Sequence, residues 1–380
     1  LSEAPEQFEF SAEQDQFRDI VSRFLAARNQ MPRVRELIAT PSGHDPAVWT
    51  ALAGELGVTG LHLPENLGGS GFGPVELGLV LEEMGRHLYC GPFFSSSIMA
   101  GCALLATDAD HREALLPGLA DGSCIAALVL DDLQDPAGLG LSLHADASGT
   151  RLDGCAPLVL GAEAANLLVV IATAAEGLGI FTVDPALASI SRRESLDPTR
   201  PLSRIEFAAT PAVRIGTLSP QLTQRWWHTQ SIMLAHELVG AAEALLYGTV
   251  EYMNTRMQFG RAIASFQALK HRCADLLMEI EVAKALTREA SRILTTDENP
   301  AEIAHMAKAM ASDAAMSAAR AGIQLRGGIG FTWENDTHFF FKRIKSSEVL
   351  FGSPQRHREW LMAHLEAEQS RLIKEHANAV

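Results

Sequence analysis

Apolar positions recur along this chain with two periods, and the order in which they alternate predicts its architecture. From about Ser11 to Gly122 they return at three- and four-residue steps with short breaks, which predicts helices. Ser11, followed by Glu13 and Gln14, reads as the start of the first helix, with Phe17, Ile20, Val21 and Phe24 on one side of it. From Cys124 to about Ile215 the pattern changes. Ile125–Leu130, Leu167–Ile171 and Gly179–Val183 are short apolar runs bounded by Asp, Gly and Pro, while Leu141–Ala145 and Ser203–Phe207 alternate. No helix-length segment intervenes, so this stretch predicts an antiparallel β domain and not a strand–helix–strand unit. From about Leu222 to Leu365 helical spacing returns in long elements, the third opened by Asn299-Pro300 and rich in Ala and Met. The expected fold class is α+β multidomain: an N-terminal helical domain over 1–122, a middle β domain over 123–221 and a C-terminal helical bundle over 222–380.

Composition narrows the function classes. At 380 residues, 47% hydrophobic and 20% charged, the chain is long enough for a large core and ordinary for a globular protein. A net charge of −15 argues against general nucleic-acid affinity, and any anionic ligand needs local positive charge. The five cysteines (Cys90, Cys102, Cys124, Cys155, Cys273) show no CxxC pair and no metal-like spacing with histidine, so no metal is expected. Leu1–Phe10 has neither the basic nor the apolar region of a secretion signal, and no stretch reaches transmembrane length. A cytoplasmic, soluble protein is expected. The Gly-rich loop Leu61–Gly71 reads as a connection between helices. It lacks the preceding strand and the following Lys-Ser/Thr of a phosphate loop.

The stretch with candidate chemistry is Arg256-Met257-Gln258-Phe259-Gly260, continuing through Phe266-Gln267 to Ala274-Asp275. Leu238, Ala242, Leu245, Leu246, Thr249 and Met253 before it, and Leu269, Cys273, Leu276 and Ile280 after it, are helical. Phe259-Gly260 reads as the break where the first helix ends. An arginine before that break and a glutamine after it suit a phosphate-bearing ligand, because guanidinium pairs bidentately with phosphate oxygens. A second motif, Gln324-Leu325-Arg326-Gly327-Gly328-Ile329-Gly330-Phe331, carries paired glycines that let backbone N–H groups approach an anion.

Together these two motifs resemble the flavin signature of the acyl-CoA dehydrogenases, and the resemblance extends over nearly the whole chain. It implies that family's fold, with a C-terminal four-helix bundle that assembles dimers and tetramers. It also implies FAD as cofactor and an acyl-CoA thioester as substrate. Arg256, Phe259, Gln267, Gln324, Gly327 and Gly328 would contact the pyrophosphate and adenosine end of an FAD seated in a neighbouring subunit. The chemistry requires a carboxylate to take the α proton, a flavin to accept hydride from the β carbon, and donors to polarise the thioester carbonyl.

This chain departs from the family where that chemistry is done. Counting from Gly327, the usual catalytic glutamate position is Phe351, and the other known location, on the helix before Arg256, is Gln230. Neither can serve as a base. The segments that seat the flavin ring are reduced to Pro136-Ala137-Gly138 and Leu158-Val159-Leu160, without the family's indole or hydroxyls. Some actinobacterial members acting on steroid side-chain CoA thioesters pair two unlike subunits, and this chain resembles the base-lacking one, in an α2β2 heterotetramer with a paralogous partner. Two alternatives remain. One is a homo-oligomer with a substitute base, Glu237 or Glu348, against which stands the ordinary reading of each as an ion-paired or surface glutamate. The other is an inactive structural or acyl-binding partner. His236 reads as a packed or exposed helix residue. Lys342, Arg343, Lys345, Arg356 and Arg358 read equally as a CoA-phosphate patch or a solvated face.

Overall fold

The computed structural model describes residues 10–134, 141–146, 149–174 and 177–378. The acidic start, Leu1–Phe10, lies outside them except for its last residue. Helix α1 (Ala12–Arg28) opens on the expected cap. The Ser11 hydroxyl accepts the Gln14 N–H at 3.2 Å, and the Gln14 side chain accepts the Ser11 N–H at 3.0 Å. Helices α2 (Met31–Leu37), α3 (Pro46–Gly54) and α4 (Pro74–Arg86) follow. A π-helical turn, Phe94–Ala100, then runs into α5 (Gly101–Leu104), with α6 (Ala109–Ala120) last. The Leu61–Gly71 loop is a connection into α4 built around a 3-10 turn at Glu65–Leu67.

Seven strands come next: β1 (Ala126–Val129), β2 (Leu141–Asp146), β3 (Gly149–Leu160), β4 (Leu167–Ala174), β5 (Gly177–Val183), β6 (Ser189–Arg193) and β7 (Leu202–Leu218). The three apolar runs fall on β1, β4 and β5. On β7, Ser203, Ile205 and Phe207 point inward and Glu206 outward, as the alternation requires. The side chains of 142–145 on β2 lie outside the described residues. The sheet is not wholly antiparallel, which corrects the expectation. Both β1 and β2 run parallel to β4, with Ala126 opposite Leu167 and Leu141 opposite Ala172. β4 is buried continuously from Leu168 to Ala172, the signature of a central strand, and such a run carries no information on direction. Its pairing with β5, and that of β5 with β7, curls the sheet around Leu152, Val170, Phe181 and Ile205.

Helix α7 (Pro220–Thr255) starts on Ser219, whose hydroxyl accepts the Leu222 N–H at 3.2 Å. It is followed by α8 (Gln267–Ile293), α9 (Ala301–Arg326), α10 (Thr337–Val349) and α11 (Pro354–Asn378), so four long helices and one shorter helix make the C-terminal part. Their shared core is Leu238, Ala242, Leu245, Leu276, Ile280 and the alanine face of α9. Helix α4 crosses α7 closely: a Cβ on Gly240 would lie 1.8 Å from the Glu82 carbonyl oxygen. Beside this crossing His236 Nδ1 is 2.9 Å from Glu82 and its Nε2 2.7 Å from the Ser291 hydroxyl, with Arg288 3.2 Å from Glu82. Burial raises the Glu82 pKa, but His236 and Arg288 outweigh it and bring the carboxyl down to about 2. His236 is a packed residue in an interhelical polar joint.

Candidate functional site

The first motif is built differently from its sequence reading. Helix α7 ends at Thr255, and Arg256 caps it in extended conformation. Met257-Gln258 then pairs with Arg261-Ala262 as a short hairpin, with Phe259 (φ 54°) and Gly260 (φ 77°) as its two-residue turn. Two positive φ values in succession match the right-handed twist of a hairpin, so Phe259-Gly260 is a tip and not the helix stop. Phe259 stands 89% exposed, touched by the edge of Phe266 at 6.1 Å. Gln267 opens α8 beyond it and is exposed.

The second motif terminates α9. Gly327 adopts φ 63°, ψ −141°, which only glycine tolerates, and turns the chain into a 3-10 segment, Gly327–Phe331. Gly328 has no positive φ, and as at Gly327 an added Cβ would meet nothing within 4 Å. Nothing among the described residues crowds a side chain at Gly328, and the backbone there is exposed. The two motifs meet through Arg326. Its guanidinium donates to Thr249 Oγ1 at 2.7 Å and lies 5.6 Å over the Tyr252 ring, which places the ends of α7 and α9 side by side. Gln324 faces out from the last turn of α9 beside a cavity of about 410 Å³ whose lining includes Phe331, Trp333, Phe341, Arg320 and Lys342.

Charge at this end of the bundle runs against the protein's average. Arg256, Arg261, Lys270 and Arg272 are all exposed, and none forms an ion pair among the described residues. Phe259, Phe331 and the outer stripe of α8, with Leu277, Met278 (69% exposed) and Val282, add an uncovered apolar surface to those cations. Unpaired cations, bare glycine backbone and exposed rings suit an anionic ligand that carries an aromatic group.

The residues at the two expected base positions are both buried. Phe351 lies in the loop between α10 and α11 at φ 57° and is fully buried. Its ring packs edge-on to Trp227 at 5.0 Å, Trp226 at 5.9 Å and Phe94 at 6.2 Å. Gln230 is also fully buried, one helical turn from Trp226 and Trp227, and its amide finds no hydrogen-bond partner of good geometry among the described residues. The Phe351 loop is braced from below by Lys308, whose Nζ donates to the carbonyls of Glu348 and Gly352, each at 3.1 Å. His357 Nε2 approaches the Phe351 carbonyl at 2.9 Å, and His357 Nδ1 lies 3.0 Å from His305 Nδ1. Burial brings Lys308 down to about 7 and His305 to about 4.

Both substitute bases are engaged. Glu237 is buried, bonded to Arg200 at 2.6 Å and the Ser347 hydroxyl at 3.1 Å, with Arg343 at 3.6 Å. Burial raises its pKa, but Arg200 and Arg343 win and hold it below the usual carboxylate range, which makes it a poorer proton acceptor. Glu348 pairs with Lys345 at 2.6 Å. The basic cluster also disperses. Arg343 is buried, donating to Asp197 at 2.9 Å and to the Tyr89 carbonyl at 3.1 Å, and Arg358 pairs with Asp313. Lys342 lies 5.3 Å over the Trp333 ring. On the β side, Leu158 is part-exposed while Val159 and Leu160 are buried, and Pro136-Ala137-Gly138 lies outside the described residues. Sequence reasoning missed Lys308 and Arg326. Lys308 shares the face of Ala304, Ala311 and Ala315, and Arg326 stands directly before the paired glycines, so both signals were present.

The family described as acyl-CoA dehydrogenase, C-terminal domain, matches residues 225–366, and its N-terminal domain matches residues 11–123. The chain is 35% identical over 345 residues to acyl-CoA dehydrogenase IpdE2 of Mycobacterium tuberculosis, covering 90% of this chain and 94% of that protein. Among solved structures it resembles a variant of the Tcur3481-Tcur3483 steroid ACAD, with TM-score 0.86, 28% identity and coverage of 94% and 99%. It has the fold seen in the ChsE4-ChsE5 complex from Mycobacterium tuberculosis, with TM-score 0.87, 22% identity and coverage of 95% and 99%. No helix among the described residues is long and apolar enough to cross a membrane. This chain belongs to the acyl-CoA dehydrogenase family, FAD-dependent oxidoreductases that act on acyl-CoA thioesters.

Proposed function

We propose that this chain is the base-lacking subunit of a heteromeric acyl-CoA dehydrogenase. It grips the pyrophosphate and adenosine end of FAD across an interface, while a paralogous partner supplies the carboxylate base and the contacts to the flavin ring. The reading rests above all on Phe351. A ring wedged among Trp226, Trp227 and Phe94 fills the position of the catalytic glutamate, and the remaining carboxylates nearby are tied up in ion pairs. The exposed, unpaired Arg256 and the open Gly328 support the other half of the reading, because a guanidinium and bare N–H groups suit a pyrophosphate. Arg256 would hold phosphate oxygens, Gly327-Gly328 would present backbone N–H groups, and Phe259 and Gln267 would border the adenosine. FAD supplies the hydride acceptor when bound.

The partner is a paralogue in an α2β2 assembly, and the substrate is a steroid side-chain CoA thioester. A heteromeric ACAD complex with the same fold and a steroid ACAD at 28% identity support this reading. The engagement of Glu237 by Arg200 and Arg343 weighs against a homo-oligomer that uses it as base. Co-expression with a paralogous acyl-CoA dehydrogenase subunit from the same organism, followed by turnover assays on acyl-CoA thioesters with an artificial electron acceptor, tests the assignment. Activity is expected only in the mixed complex, and full activity of the isolated chain overturns the reading.

A further inference from the structure

Arg326 is the residue through which the two halves of the proposed grip touch. It is the last residue of α9, immediately before Gly327. Its side chain turns inward instead of reaching solvent. Nη1 donates to Thr249 Oγ1 at 2.7 Å and to the Gly322 carbonyl at 3.0 Å, and the guanidinium covers the Tyr252 ring at 5.6 Å. Thr249 is itself buried, and Tyr252 lies one turn before Arg256, whose N–H bonds to the Tyr252 carbonyl at 2.9 Å. No carboxylate pairs with Arg326 among the described residues. A part-buried guanidinium without a counter-charge is costly, and here its cost is offset by the Thr249 hydroxyl, the Gly322 carbonyl and the Tyr252 ring.

We infer that Arg326 is a positioning residue that sets the distance between the α7 end, carrying Arg256, and the α9 end, carrying Gln324 and Gly327-Gly328. This inference rests on the proposed reading of those residues as a nucleotide half-site. An arginine suits the task because one planar group meets a hydroxyl, a carbonyl and an aromatic face at once, a combination that a lysine ammonium on its flexible stem does not reproduce. With the clamp in place the cation and the bare N–H groups address one pyrophosphate together. Without it each half would have to be ordered by the ligand, at the ligand's expense in affinity.

The test uses Arg326→Ala, Arg326→Lys and the near-isosteric Thr249→Val in this chain. In the complex co-expressed with its paralogue, FAD affinity is read by flavin fluorescence on dissociation, beside KM for acyl-CoA. In the isolated chain, amide hydrogen exchange is read over residues 322–331. Arg326→Ala is expected to weaken FAD about tenfold and Thr249→Val about threefold, with KM for acyl-CoA unchanged. Arg326→Lys is expected to recover little. Exchange at Gly327 and Gly328 should rise in the isolated Arg326→Ala chain. Unchanged exchange together with FAD affinity within twofold of the parent in all three variants overturns the inference. A parent complex that holds no FAD instead refutes the half-site reading, and the exchange result still decides whether Arg326 orders the α9 end.

Discussion

Replacing Arg256 by Gln separates the binding role of this corner from its contribution to folding. The Arg256 side chain is exposed and forms no ion pair, so the substitution removes no internal contact beyond its own packing. Surface changes of this kind alter stability by about 0.5 kcal/mol or less. Only the backbone of Arg256 is used locally: its N–H bonds to Tyr252 and its carbonyl accepts the Ile263 N–H at 2.9 Å, and glutamine preserves both. A charge-assisted hydrogen bond to a phosphate is worth roughly 1.5–3 kcal/mol, so losing it weakens FAD about 10- to 150-fold. The assay is a pair of measurements on one protein: thermal unfolding of the isolated chain, and FAD retained by the mixed complex after dilution and gel filtration. The expected outcome is an unaltered melting temperature with FAD largely lost. FAD retention equal to the parent's would refute the reasoning, as would loss of FAD that merely follows a lowered melting temperature.

Other consequences follow from the same contacts. Phe351→Glu should not create a base. It removes a fully buried ring and places an unpaired carboxylate among indoles, costing at least about 3 kcal/mol, so melting should fall with no gain of turnover in the isolated chain. Lys308, held at about 7 in the fold against about 10.4 when unfolded, makes the unfolded chain bind more protons between those values. Stability should therefore rise from pH 7 towards 10, and Lys308→Met should flatten that rise in melting curves recorded across pH. In acid, His305 stays neutral down to about 4 while an unfolded histidine protonates near 6.5, so this group withdraws stability as pH falls through that window, and His305→Phe should reduce the loss. Met278→Glu puts charge on the uncovered stripe of α8. It should lower the oligomeric state measured by light scattering while leaving the monomer's melting unchanged.

Much of this molecule was legible because burial writes a period into sequence. Ser203, Ile205 and Phe207 alternate on β7, and Leu238, Ala242, Leu245 and Met253 line the inner face of α7. What periodicity lacks is direction and turn geometry. Leu167–Ile171 announced a buried strand, but the same run serves parallel and antiparallel neighbours, so the parallel partners of β4 were not readable. Phe259-Gly260 signalled a break, and a glycine after helical spacing ordinarily closes a helix. Only the backbone reveals that the helix had already ended at Thr255 and that the pair turns a hairpin. The basic cluster failed for another reason. Arg343 sits four residues from both Phe339 and Ser347 on the buried face of α10, while Lys345 points elsewhere, so neighbours in sequence are not neighbours in space. Counting from Gly327 placed Phe351 at the expected base position, and what sequence could not show is that its ring is fully buried against Trp226, Trp227 and Phe94.

The decisive quantity is the ratio of flavin to polypeptide, taken from the visible and ultraviolet absorbance of this chain purified alone and again after co-expression with its paralogue. Our account predicts almost none alone and one FAD for each pair of unlike chains together. A full equivalent of FAD on the isolated chain would mean that its own β layer seats the flavin ring, and the proposed division of roles between two subunits would be wrong.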